Sequence, residues 1–218
     1  MERGLRLPFF NFEYKLILFN RQMFKRFLTQ KQSKDDYPPG DLVIWIFIYA
    51  ELLVFGVLFL AYAFSRSNNL ELFNESQKLV NQELGALNTL ILITSSFFVV
   101  RAVSAIREGK VEQCGHWLLA TMVMGSGFIV VKIFEFSEKF AAGISLSTNT
   151  FFTYYLSMTA FHFMHVVVGL IILGAIWWKN RRGGYNQEEY TGVETGASYW
   201  HMVDLVWIIL FPLIYVIR

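Results

Sequence analysis

Cys114 is the one cysteine in a chain of 218 residues, so no intrachain disulfide can close and no thiolate metal cluster can be assembled. Histidine is nearly as scarce. His116, His162, His165 and His201 are too few to ligate several haems, or a haem together with a copper. Any part in electron transfer therefore depends on a neighbouring chain. The net charge is only +2, which offers nucleic acid no electrostatic footprint. Apolar residues make up 55% of the chain and fall in several long runs rather than many short strands, the mark of a polytopic membrane protein.

Residues 1–37 form a separate segment in which Arg3, Arg6, Lys15, Arg21, Lys25, Arg26, Lys31 and Lys34 interleave with Phe12, Leu16, Phe19, Met23 and Phe27. Apolar steps of three and four suit an amphipathic helix in the cytoplasmic headgroup layer. Charges break every apolar block before it reaches the length of a signal-peptide core. Pro38-Pro39-Gly40 ends the segment, and Asp41 can cap the helix that follows. The remaining chain, 38–218, reads as an all-α bundle of five transmembrane helices: Leu42 to Phe64, Ala86 to Ile106, His116 to Phe136, Phe151 to Trp178 and Tyr199 to Ile217. A polar loop from Ser65 to Glu83 and a short turn from Gly143 to Thr150 fall between spans, and Cys114 is expected in a loop.

Five spans place the termini on opposite sides. The basic N-terminal segment, Arg101, Arg107, Lys110, Lys179, Arg181 and Arg182 share one side, against Arg66, Lys78, Lys139 and Arg218 on the other. By the positive-inside bias the N-terminus is cytoplasmic and the C-terminus faces out.

Ionisable side chains inside the spans are the candidate functional residues, because they are expensive in hydrocarbon. His162 and His165, three apart, share a helix face, and Glu51 reaches a similar depth, roughly 15 Å from the inner end of its helix at about 1.5 Å per residue. Glu51 either meets one of the two histidines or stays neutral and bonds a hydroxyl. Lys132 and Glu135 share a face, with Glu138 one turn further, and read as an ion pair at the outer interface rather than a proton-conducting element. Arg101 and Asp204, near the cytoplasmic boundary, can pair with each other or with lipid phosphate, and His201 shares a face with Asp204. No cysteine and no further histidine at this depth completes a metal or haem site around His162 and His165. A stand-alone transporter or a gas or proton channel is the other class. Five spans divide into no two equal halves, and no internal repeat is present.

Phe161-His162-Phe163-Met164-His165-Val166 with Gly169 resembles the Phe-His-Gly-x-His-Val-x-x-Gly signature of subunit III of the haem-copper oxidases, with Phe163 in place of a glycine. Four more segments agree in order: Trp45 to Phe55 around Glu51, Leu87-Asn88-Thr89 with Thr94-Ser95-Ser96, Lys132 to Glu138, and Tyr199-Trp200-His201-Met202-Val203-Asp204-Leu205-Val206-Trp207. Pro39-Gly40-Asp41-Leu42, Val131-Lys132 and the short loops are most similar to the accessory subunit-III-like protein of nitric oxide reductases. The resemblance implies a non-catalytic subunit without cofactor or metal of its own. It would pack against a catalytic haem-copper subunit, hold phospholipid and support proton-linked turnover. Glu51, His162 and His165 would then form a midplane locus, and Arg101, Trp200, His201 and Asp204 an anchor or headgroup site at the cytoplasmic face.

Overall fold

The computed structural model describes residues 39–217. The amphipathic segment expected over residues 1–37 lies outside them. Six α-helices follow: α1 Leu42–Asn68, α2 Leu70–Gln77, α3 Gln82–Arg107, α4 Val111–Ala141, α5 Thr150–Arg181 and α6 Thr191–Phe211, the last continued by a wide turn over Pro212–Val216. No strand occurs among the described residues. Five of the helices, all but α2, are long and apolar enough to cross a membrane, so the chain is a multi-pass membrane protein.

Local chemistry sets the helix ends. Asp41, Asn81 and Asn149 each accept a hydrogen bond from the first turn of the helix they precede. At the other ends α3, α4 and α5 stop in the same way, at Gly109, Gly143 and Gly183, with φ of 76°, 76° and 71°. In each the next amide folds back to a carbonyl of the last turn: Lys110 to Ala105, Ile144 to Lys139 and Gly184 to Lys179, at 2.9, 3.0 and 3.0 Å. These turns satisfy carbonyls that would otherwise be orphaned near the hydrocarbon boundary and keep the connections short.

Helix α6 holds the bundle together. It packs on α1, α3 and α5, while α3 pairs with α4 and α4 with α5. Between helices in a membrane, association rests on close packing and polar contacts, since lipid tails are as apolar as leucine. The fully buried indole of Trp200 shows how that closeness arises, since it lies against Gly125 of α4 and Gly169 of α5. A Cβ at those glycines would approach the indole to 2.6 and 2.9 Å. Helix α1 is attached most lightly, through the heptad-spaced seam of Ile48, Phe55 and Tyr62, and most of its other apolar side chains face outward.

Three expectations need correction. The fifth span starts at Thr191, about two turns before Tyr199, because Glu194 and Thr195 of its polar first turns are partnered: Glu194 by Arg107 at 2.7 Å and by the Gly40 amide, Thr195 by the Asp41 amide. Within the expected Ser65–Glu83 loop, α1 runs on to Asn68 and α2 buries Phe73, Ser76 and Gln77. Cys114 is no loop residue, since it is buried in the first turn of α4.

Overfilling the Trp200 contact should be costly. Gly169→Val is expected to lower stability by about 1–3 kcal/mol, read as a lower melting temperature in detergent. Gly56→Ala, where nothing lies within 4 Å of the added methyl, should not lower it.

Candidate functional site

Glu51 and His165 meet between α1 and α5. His165 Nε2 lies 3.0 Å from Glu51 Oε2, and His165 Nδ1 lies 2.8 Å from the Phe161 carbonyl oxygen. A carbonyl only accepts, so Nδ1 carries a proton and donates it. The Nε2 to Oε2 contact then holds one further proton, as imidazolium and carboxylate or as neutral imidazole and carboxylic acid. Either way the pair is neutral overall, which suits hydrocarbon. Phe55 and Phe161 edge the imidazole at 5.3 and 4.6 Å, and the Tyr199 hydroxyl donates to the His165 carbonyl at 3.2 Å. The pair is not sealed: the side chains of Glu51 and His165 are 19% and 11% exposed.

His162 does not join them. Three residues turn a helix by about 300°, so the two imidazoles diverge by about 60°. His162 points into the bundle, fully buried, 5.2 Å from the Trp207 ring and 5.6 Å from Phe128, and neither ring nitrogen has a hydrogen-bond partner.

Lys132 and Glu135 form a second polar centre. They form the expected ion pair, 2.9 Å apart and fully buried in the bundle. Glu135 Oε1 accepts from the hydroxyls of Tyr155 and Tyr215, at 2.6 and 2.8 Å, and Tyr215 in turn accepts from Lys132 Nζ at 2.6 Å. The ammonium also lies 5.2–5.5 Å from the rings of Phe136, Tyr155, Trp207 and Tyr215. Glu138 is exposed and takes no part. Lys139, one step further round, occupies the buried face and donates to the Leu79 carbonyl at 2.8 Å. Tyr155 and Tyr215 are the participants that the sequence concealed, because an aromatic residue in an apolar run does not announce its hydroxyl partner.

The expected cytoplasmic-face anchor is also relocated. With α6 beginning at Thr191, Trp200, His201 and Asp204 lie about 14–20 Å inside the helix. Hydroxyls of α3 serve this face of α6: Ser95 accepts from Trp200 Nε1 at 2.8 Å, Thr89 from Trp207 Nε1 at 3.0 Å, and Ser96 bonds His201 Nδ1 at 2.8 Å. Asp204 is buried with Oδ1 unpartnered, and Arg101 lies over the Trp117 ring at 5.5 Å rather than against Asp204. Outside the helices, the hydrogen bond from Lys110 at 2.6 Å holds the Glu108 carboxyl below the usual carboxylate range. Among the described residues no three His, Cys, Asp or Glu side chains converge on a point.

The enclosed Lys132–Glu135 pair predicts a coupled response. Lys132→Met, which strands a buried carboxylate, should cost about 3–5 kcal/mol. Lys132→Met with Glu135→Gln should recover most of that loss in thermal unfolding in detergent. An equal loss in the double variant would show that the pair does not act as a unit.

Comparison with known proteins places the chain in a family. Residues 40–217 match the family model described as cytochrome c oxidase subunit III. The chain is 38% identical to cytochrome c oxidase subunit 3 of Thermostichus vulcanus over 177 residues, 81% of this chain and 86% of that one. It is 29% identical to quinol oxidase subunit 3 of Bacillus subtilis over 174 residues, 80% of this chain and 85% of that one. It is 30% identical to the haem-copper oxidase subunit I+III of Aeropyrum pernix over 183 residues, 80% of this chain and 22% of that longer one. On that match and that identity, the chain belongs to the cytochrome c oxidase subunit III family.

Proposed function

We propose that the chain is a non-catalytic integral subunit of a haem-copper oxidase complex in a bacterial inner membrane, with the N-terminus cytoplasmic and the C-terminus periplasmic. It packs against the histidine-rich catalytic subunit, holds phospholipid and supports proton-linked turnover. The Glu51–His165 contact at 3.0 Å carries the proposal: it holds one proton at mid-span, at the edge of the bundle where a neighbouring chain can reach it. Family membership supplies the partner, because the Aeropyrum pernix relative is named for subunits I and III in a single chain. The outward apolar face of α1, including Leu53, Val57 and Leu60, suits burial against another helix or lipid.

A nitric oxide reductase complex is the second reading, favoured by Pro39-Gly40-Asp41-Leu42 and by Val131-Lys132. Oxygen or nitric oxide consumption by the purified complex separates the two.

Gentle detergent extraction should recover the chain with a haem-bearing partner. In that complex Glu51→Gln is expected to assemble normally, since the amide can still donate to His165 Nε2, yet to shift the pH profile of turnover. An unchanged profile, rate and lipid content would remove Glu51 from the mechanism. Recovery of the chain alone, with solute or proton flux in liposomes, would favour a transporter or channel.

A further inference from the structure

A cavity of about 600 Å³ lies where α4 turns into α5, between Phe136 and Phe140 of α4, Leu146 of the turn, and Ser157 and Ala160 of α5. Glu51, His165, Lys132 and Glu135 do not line it. Its walls are braced in advance. The Ser145 amide donates to Thr148 Oγ1 at 2.8 Å, and Thr153 Oγ1 donates to the Leu146 carbonyl at 2.6 Å, so the turn holds its own shape. Phe136 and Phe140 stand one helical turn apart with ring centroids separated by 6.5 Å, and Ala160 leaves the α5 side free of bulk.

Two hydroxyl protons in this cavity are unspent. Ser157 lies about 10 Å into α5, which begins at Thr150, at a depth where a hydroxyl commonly returns to its own backbone. Thr94, Thr121 and Thr159 do so, each donating to the carbonyl one turn back. Ser157 is exposed and makes no hydrogen bond with the described residues. Ser145 and Ser147 pair through their hydroxyls at 3.0 Å, which uses one O–H and leaves the other to donate. No charged side chain lines the cavity, and the nearby Lys139 is turned to the Leu79 carbonyl. A phosphate or carboxylate would find no cation here, and an ammonium no carboxylate. Two hydroxyl donors set among phenyl rings fit a neutral, flat molecule with two acceptor oxygens, and the surrounding bilayer admits an apolar tail.

We propose that the cavity binds the head ring of an isoprenoid quinone, with one carbonyl oxygen accepting from Ser157 and the other from the Ser145–Ser147 pair. The ring lies against Phe136 and Phe140, and the tail runs into the bilayer. The assignment is one of binding and involves no electron transfer, and it stands or falls separately from the association with a catalytic subunit.

The test is photolabelling of the detergent-purified protein, together with any subunit that co-purifies, by a short-tailed azidoquinone, with the labelled peptide identified by mass spectrometry. Label should fall within residues 136–160, and decylubiquinone should compete for it. Ser157→Ala, at an exposed position, should raise the half-saturating azidoquinone concentration about fivefold, the size expected for one neutral hydrogen bond. Ala160→Leu, also exposed, fills the cavity and should abolish the label while leaving the melting temperature unchanged. Label confined to other peptides, or a half-saturation unmoved by Ser157→Ala, would overturn the assignment. So would competition by dioleoyl phosphatidylglycerol as effective as that by decylubiquinone, which would make the groove a general lipid surface. None of these outcomes bears on co-purification with the catalytic chain.

Discussion

A carboxylate in hydrocarbon must find a cation, a proton or a set of donors, and that requirement organises this bundle. Glu51 takes His165 from another helix, Glu135 takes Lys132 and two tyrosines, and Glu194 takes Arg107. Every solution but one joins different helices directly. The exception, Lys132 with Glu135 on α4, recruits Tyr155 from α5 and Tyr215 from the C-terminal turn. The polar groups thus act as staples: α1 to α5, α3 to α6, and α4 to both α5 and the chain end. Their placement matters because apolar contact alone does little to favour one helix neighbour over lipid.

Small residues and hydroxyls complete what the charges begin. Trp200 reaches the centre because Gly125 and Gly169 leave it space, and its ring nitrogen is then served by Ser95. Thr89 does the same for Trp207. The far end is closed by side chains that cap backbone carbonyls: Gln77 donates to Ile214 at 2.7 Å, Lys139 to Leu79, and Arg66 to Ile217. Pro212 lacks an amide proton and opens α6 into a wider turn, so these donors fall where the backbone needs them.

Five spans were legible because each carries a run of apolar residues long enough to cross, and Glu51 and His165 stood out because ionisable groups are rare there. Rotation about the helix axis was not legible. Depth alone left His162 and His165 equivalent as partners of Glu51, and packing separated them. Similarly, Lys132 and Glu135 looked peripheral by position, whereas the tyrosine hydroxyls that make a buried ion pair tolerable came from distant stretches of chain. The start of α6 was hidden for a related reason: Glu194 and Thr195 lower the local hydropathy, yet their polarity is absorbed by Arg107 and by the backbone ahead of α1.

Exposure divides the two carboxylate centres by role. Lys132 and Glu135 are completely enclosed, and their donors and acceptors are met by Tyr155 and Tyr215, so a proton cannot enter or leave without parting the helices. A centre of that kind fixes geometry. Glu51 and His165 differ on each point: they join the most lightly held helix to the bundle, they are partly exposed, and a single contact links them. A small movement of α1 would lengthen the 3.0 Å contact and separate the two groups. The contact is therefore tied to the position of α1, and through the outward face of α1 to whatever packs against it in the membrane.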